Sequence, residues 1–279
     1  MRKIFAAVQT FRAVVNVAIR PWTIYLPFAK SIHKFSVEFR LARIRFFLAR
    51  HEVNWSESLR AIFVAIPKSA SSAITDELFR VLGDWKLGDG GFLVAGDLKE
   101  LFQQIKSSRD NLAGPAVLSI GHQGVSLLTR SGLISEDRIR HIPIVCVSRP
   151  DLDRFPSAYS YCRKVGIIPR GIGMEAVLSL LQRKGLPNPD QNDASIDYGP
   201  PIHFASSSAW TAPKAGFAPH RIFGMGTLTD CVDYLCLLAD VAPGGDTVVR
   251  QTNVSRGKPQ LGSKLSKRVE KIYGVQGSS

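Results

Sequence analysis

Acidic side chains are nearly absent from the start of this sequence. Across residues 1–50 one carboxylate, Glu38, stands against ten Lys/Arg (Arg2, Lys3, Arg12, Arg20, Lys30, Lys34, Arg40, Arg43, Arg45, Arg50). That segment carries +9 of the chain's formal +13, and everything after it contributes only +4. The basic character therefore belongs to an extension rather than to the body. It is not interleaved with base-stacking aromatics on a recognisable module, which argues against a nucleic-acid partner. Cysteine is also scarce: Cys146, Cys162, Cys231 and Cys236 form no C-x-x-C pair. With no H-E-x-x-H and no paired Cys/His spacing, nothing points to a metal. Buried thiols fit the apolar settings of these cysteines and favour a reducing, cytoplasmic compartment, with a disulfide left open. A long uncharged run is missing too. "RAVVNVAIRPWTIYLPFAK" is divided by Arg12, Arg20 and Pro21, short of the roughly 20 residues a spanning helix needs. No small-residue cleavage site follows a clean apolar core, and there are no internal repeats.

What is present, over 279 residues, suffices for one large domain with an extension. Residues 1–59 read as a basic, aromatic-rich helical extension and residues 60–279 as an α/β domain. Two readings of the extension stay open. Its amphipathic, basic pattern suits the surface of a membrane, and it equally suits helices packed on the body with arginines facing solvent.

After the extension, apolar runs alternate with helical patterns. "AIFVAI" (61–66), "AVLSI" (116–120) and "IPIVCVS" (142–148) are short apolar runs of the kind found in strands covered on both faces, and "RIFGM" (221–225) is a weaker fourth. Ile74, Leu78, Val81 and Leu82 repeat at helical spacing, with Asp76 and Glu77 expected in the first turn and Gly83 as the stop. Further helices are expected through "LTDCVDYLCLLA" and over 263–273, and a loop or lid over 185–215. Strands separated by helices imply a parallel sheet flanked by helices.

Ligands of such sheets bind beyond the carboxyl ends of the strands. "PKSASS" lies there, between the first strand and a helix. Lys68 brings a full charge, Ser69, Ser71 and Ser72 bring hydroxyl donors, and small residues including Ala70 let an anion approach the amides at the helix start. The bland alternative is a strand followed by a serine helix cap. This is not the G-x-x-x-x-G-K-[ST] loop of nucleotide kinases, because the lysine comes first and glycine is missing.

"IPIVCVSRPDLDRFPSAYSY" repeats the logic at another strand end. Arg149 leaves the strand at its carboxyl edge and Ser157 follows, a guanidinium and a hydroxyl suited to a second phosphate. Because Pro156 belongs in a first turn, the helix is expected to start near Arg154–Phe155, which would put Ser157 at the positive end of its dipole. Asp151, Asp153 and Arg154 read as local caps and ion pairs. Of six histidines, His122 in "LSIGHQGV" follows the second strand directly and is the leading general base. His203 and His220 are runners-up, His141 precedes its strand, and His33 and His51 lie in the extension. Arg256 and Lys258 could close over a ligand or stand on a solvated loop.

"IPKSASSAI" resembles the I-P-K-[TS]-x-x-[ST]-[ST] loop of sulfotransferases, and "VSRPDLDRFPSAY" is similar to that family's V-R-x-P-x-x-R-x-x-S-A-Y segment, above all in the carbohydrate sulfotransferases and their bacterial relatives. "TNVSRGK…LSKRVEKIY" is similar to the closing N-x-S segment and last helix, so the likeness runs from about Ala61 to Tyr273. The resemblance implies a P-loop NTPase-like sulfotransferase fold. It implies an enzyme moving the sulfuryl group of 3′-phosphoadenylyl sulfate (PAPS) to a hydroxyl of a carbohydrate or glycolipid. By position it assigns Lys68, Ser69, Ala70, Ser71 and Ser72 to the 5′-phosphosulfate, Arg149 and Ser157 to the 3′-phosphate, and Arg256 to a loop over the nucleotide. Lys68 also serves the leaving oxygen, and the family's G-H segment matches Gly121–His122 with histidine as base. Departures are the missing loop glycine (Ala70 and Ser71 stand there), Pro156, Gly226 where many relatives have an acid, and Gln276 where a late Asp is common. An ATP–Mg²⁺ phosphotransferase and a non-catalytic nucleotide-binding relative are the alternative readings. A peripheral contact of residues 1–50 with an anionic membrane is a further expectation.

Overall fold

The structure, a computed structural model, describes residues 29–51, 55, 57–85, 91–107, 114–191, 200–212, 216–243, 249 and 260–274. In chain order its elements are α1 (Ala29–His51), β1 (Ala61–Ala65), α2 (Ser71–Leu82), β2 (Phe92–Ala95), α3 (Leu98–Ser107), β3 (Val117–Gly121), α4 (Ser126–Arg130), α5 (Glu136–Ile139), β4 (Ile144–Val147), α6 (Asp151–Lys164), α7 (Met174–Lys184), α8 (Ser207–Thr211), β5 (Arg221–Phe223), α9 (Leu228–Leu238) and α10 (Ser263–Tyr273). Single 3₁₀ turns lie at Pro189–Gln191 and Ile202–Phe204.

The five strands form one all-parallel sheet in the order β2-β3-β1-β4-β5. Strand alternation sends successive side chains to opposite faces, and the apolar runs are long enough to fill both. Ile62 and Val64 of β1, Leu118 and Ile120 of β3, and Ile144 and Cys146 of β4 join the cluster that holds Val37, Leu41, Ile44 and Leu48 of α1 and Leu98, Leu101 and Ile105 of α3. Ala61, Phe63 and Ala65 of β1, Val117 of β3, and Val145 and Val147 of β4 turn the other way, onto Ile74 and Leu78 of α2 and Leu228, Cys231, Val232 and Leu235 of α9. A third cluster unites α6, α7 and α10 around Phe155, Leu178, Phe204 and Val269. This is the α/β architecture expected from a sheet buried on both faces.

From β1 the chain goes to one side of the sheet, to β2, and from β3 it crosses β1 to reach β4 on the other side. The direction of winding therefore reverses beside β1, where open α/β sheets leave a crevice at their carboxyl rim. Register fixes what stands on that rim. Ala65 pairs with Gly121 and Val64 with Cys146, so the segments after β1, β3 and β4 emerge side by side, with about 4.8 Å between neighbouring strands.

Several expectations are revised. Helix α2 begins at Ser71 and has no acidic residue in its first turn, so Asp76 and Glu77 lie in the second, where Glu77 pairs with Arg80. Helix α6 begins at Asp151, not near Arg154–Phe155, because Pro150 and two first-turn carboxylates make a better start than the one inferred from Pro156. Of the expected 185–215 loop, the described part carries α8 and buries Ile202, Phe204, Ala205 and Trp210. Those apolar residues anchor a stretch whose polar neighbours disguise it. β2 and α3 had no counterpart in the sequence reading. All four cysteines are free and buried, and burial pushes the Cys146 thiol up to about 12. Among the described residues, no helix is long and apolar enough to cross a membrane.

The described part of the extension, α1, is built into the core. Truncating Leu41, which is fully buried, to alanine is expected to cost about 2–5 kcal/mol. Urea unfolding followed by circular dichroism measures this, and a loss confined to a few tenths would mean that α1 is only loosely attached.

Candidate functional site

The segment joining β1 to α2 has an unusual backbone. Lys68 (φ 67°) and Ala70 (φ 59°) are both left-handed, while Ser69 between them is not. Non-glycine residues rarely adopt this region, and each costs roughly 1–3 kcal/mol. Alternation of this kind turns successive N–H groups toward one concave side, which is how backbone builds an anion cradle. The helix that follows is capped by Ala70, which has no side-chain acceptor, so the capping residue takes no side-chain hydrogen bond from its first amides. A serine helix cap is thus not the reason for this sequence. The amides and positive dipole end of a twelve-residue helix face the rim without a competing carboxylate.

The predicted residues of this loop differ in their exposure. Lys68 is half-buried, Ser71 half-buried and Ser72 exposed. Ser69 is buried, and its hydroxyl has no hydrogen-bond partner among the described residues, a group that a bound polar ligand would satisfy.

His122 is the first residue beyond β3 and the third strained position on this rim, with φ 59°. Its ring lies 4.9 Å from that of His203, and the His203 ring lies 4.8 Å from Tyr161. The Lys68 ammonium stands over the Tyr161 ring at 4.4 Å, a cation–π contact. Lys68, Tyr161, His203 and His122 therefore form a continuous group drawn from the ends of β1 and β3, from α6 and from a 3₁₀ turn. Burial is the largest influence on His122 and lowers its pKa; the Asp97 carboxylate opposes this and the Lys68 ammonium reinforces it. Burial likewise takes His203 down to about 3, helped by His122, Lys68 and Arg154. Both imidazoles are thereby held neutral at pH 7, and His203 in particular binds a proton poorly. Asp97 was not singled out in the sequence, although "GDLKE" carries a capping pattern: Asp97 Oδ1 accepts from the Glu100 amide and Glu100 Oε2 from the Gly96 amide. His220 drops out, because its Nδ1 accepts from the Ile144 amide at the amino-terminal rim.

Arg149 is the second residue beyond β4 and is half-buried. Its carbonyl accepts from the Ser207 hydroxyl at 2.8 Å, and it takes part in no ion pair among the described residues. Ser157 is buried, but it is the seventh residue of α6. The helix dipole fades within the first turn, so it lends nothing to this hydroxyl. Ser157 can act only from the side of the helix. It lies on the stripe Arg154–Ser157–Tyr161, whose neighbours both reach the β1 loop. Pro156 stands inside the helix and leaves the Leu152 carbonyl without its helical donor. Arg256 and Lys258 lie outside the described residues, as does Gln276.

The most consequential residue of this region is one the sequence reading set aside. Arg154 is 1% exposed and pairs with Asp151 at 2.8 Å. It donates to the carbonyls of Pro67 (3.5 Å), His203 (3.1 Å) and Ala205. Asp151 in turn accepts from the Ser207 amide and hydroxyl at 3.0 and 2.9 Å. The pair thereby fixes the β1 loop, the His203 segment and the Arg149 backbone relative to one another.

Arg154→Leu is expected to lose about 3–5 kcal/mol, because it strands a buried carboxylate and three carbonyls; chemical denaturation reads this directly. The depressed histidines give a second expectation. Below about pH 6.5 the unfolded chain takes up protons that buried His203 refuses, so stability falls as pH drops toward about 3. The slope is up to about 1.4 kcal/mol per pH unit for each such histidine, and urea titrations across this range should show it flattened in His203→Gln. No family model, curated protein or solved structure matches this chain.

Proposed function

We propose that this protein is a sulfotransferase that moves the sulfuryl group of 3′-phosphoadenylyl sulfate to a hydroxyl of a carbohydrate or glycolipid, on a P-loop NTPase-like sulfotransferase fold. The observation that carries the reading is the strained, side-chain-uncapped junction at 66–71, with Lys68 at its centre and a neutral histidine beside it. A backbone that holds two left-handed non-glycine residues needs a functional reason, and the resemblance of "IPKSASSAI" supplies one.

Each residue has a defined task in this reaction. The amides of 70–72, the hydroxyls of Ser69, Ser71 and Ser72, and the Lys68 ammonium hold the 5′-phosphosulfate. Arg149 and Ser157, one strand over on the same rim, hold the 3′-phosphate, and Arg256 contributes from its loop. His122 takes the proton of the acceptor hydroxyl as its oxygen bonds to sulfur. The bridging S–O bond breaks, its electron pair stays on the departing phosphate, and Lys68 offsets that charge. His203, packed on His122, orients the base. The transferred group is uncharged in its departing form, so the scheme requires no metal; this is where it parts from an ATP–Mg²⁺ phosphotransferase, for which the loop has no Gly-Lys-Ser/Thr sequence.

Calorimetry with 3′-phosphoadenosine 5′-phosphate tests the reading. Binding is expected, and weakening by about tenfold or more in Lys68→Ala and Arg149→Ala, since each removes a charge-assisted contact. His122→Ala should bind the nucleotide normally and lose about 10²–10⁴ in turnover on a verified acceptor. Preference for ATP–Mg²⁺ over the bisphosphate would overturn the assignment. Tight bisphosphate binding with turnover indifferent to His122 would leave the donor site and remove the base.

A further inference from the structure

Helix α1 has two apolar stripes, and the fold uses only one. Val37, Leu41, Ile44 and Leu48 enter the core. On the opposite side Phe35, Phe39 and Phe46 are 73%, 54% and 70% exposed. At about 100° per residue the three fall within roughly 40° of one another, along some 16 Å of helix. Phe35 and Phe39 stack on each other at 6.5 Å. Three phenylalanines in a line on a solvent-facing helix exceed the scattered apolar residues of an ordinary surface.

The stripe has cationic borders. Arg43 and Arg50 flank one side and Arg45 the other, all exposed. Arg43 is held over the Phe102 ring at 5.1 Å and Arg45 donates to the Arg130 carbonyl at 2.8 Å. Both guanidiniums are thus kept beside the stripe rather than across it. The one carboxylate of the segment, Glu38, is paired with Arg130 and leaves the positive field unopposed.

We infer that this face of α1 docks on an anionic lipid surface, with Phe35, Phe39 and Phe46 entering the headgroup–acyl boundary and the flanking arginines meeting lipid phosphates. An apolar strip bordered by arginines, on a helix lying parallel to the plane, is the geometry of an interfacial anchor. Charge decides among the occupants. Residues 1–28 contain Arg2, Lys3, Arg12 and Arg20 and no acid, so folding back onto this face would bring like charges together. A second copy would place two strongly basic faces in contact. Anionic lipid neutralises both the stripe's borders and the basic residues that precede it. The inference does not depend on what the site at the sheet rim does.

The test is co-sedimentation of the full-length protein with phosphatidylcholine vesicles, with and without about one-third phosphatidylglycerol. Binding is expected only to the anionic vesicles and should weaken as salt is raised. The triple variant Phe35→Ser/Phe39→Ser/Phe46→Ser should bind about tenfold more weakly or worse, with its unfolding midpoint unchanged because none of the three is in the core. Phe39→Trp gives a reading independent of the triple variant's folding: its emission should shift to the blue on anionic vesicles and not on neutral ones. Equal binding by the triple variant, no preference for anionic lipid, or an unshifted emission from the Phe39→Trp protein would each overturn the inference. So would a dimer in vesicle-free sedimentation that the triple variant abolishes, since the stripe would then be a self-interface.

Discussion

The architecture of the candidate site depends on one buried cation. Arg154 brings its charge into the interior beside Asp151 and spends its remaining donors on main-chain carbonyls from Pro67, His203 and Ala205. Desolvating a guanidinium is tolerated only where nearly every N–H is matched, and the match here is made with backbone from separate segments. The carbonyls stay put because the arginine needs them, and the arginine stays because no other arrangement satisfies it. Ser207 extends the arrangement to the carbonyl of Arg149. A single ion pair thus sets the spacing between the loop after β1, the end of β4 and the segment that carries His203. Residues as far apart in the chain as Pro67 and Ser207 are held to a common geometry by it.

Strain is concentrated where this brace ends. Among the described residues four non-glycine positions have positive φ, and three of them, Lys68, Ala70 and His122, lie just beyond β1 and β3. At roughly 1–3 kcal/mol each, they hold back an amount comparable to a sizeable share of a domain's net stability of about 5–15 kcal/mol. A fold keeps such residues only when the surroundings over-determine them. Here the strands below are fully buried, and Arg154 grips the loop from the side. Glycine would relieve Ala70 but would also loosen the loop when unfolded and folded alike. Alanine at this position therefore makes a more rigid loop than glycine would.

Four of the five strands were legible in the sequence, because "AIFVAI", "AVLSI" and "IPIVCVS" are apolar runs that name their own limits to within a residue or two and "RIFGM" is a weaker one; β2, only four residues long, was not. The rim could be read for the same reason, since a polar, small-residue segment directly after a buried strand has nowhere else to go. Around the candidate site, three further things could not be read. The start of α6 was misplaced because Pro156 is tolerated inside the helix, and no local rule announces that tertiary contacts outweigh one lost backbone hydrogen bond. Arg154 looked like a partner for Asp151 and is one, but its reach to Pro67 and His203 is a product of packing between distant segments. Tyr161 and His203 meet Lys68 and His122 only after the 3₁₀ turn at Ile202–Phe204 has been buried, and a stretch rich in Pro, Ser and Asn conceals that burial.

The ionisation of the cluster follows from its composition and bears on what it can do. Lys68 lowers the proton affinity of both His122 and His203, and His122 lowers that of His203 further by its proximity. In this state the group carries one positive charge, on Lys68, and has two neutral imidazoles near it. Burial is the larger cause in both, and an anion placed against Lys68 would cancel only the lysine's share of the depression. By linkage the same interaction must then make His122 a stronger base and make its protonated form tighten the anion. Under the proposed reaction, arrival of the donor would thus raise the basicity of the residue that must deprotonate the acceptor. Asp97, already acting on His122 in that direction, would then stabilise the imidazolium as it forms. This coupling is electrostatic and needs no moving part: filling the cradle would remove one of the influences that weaken the base.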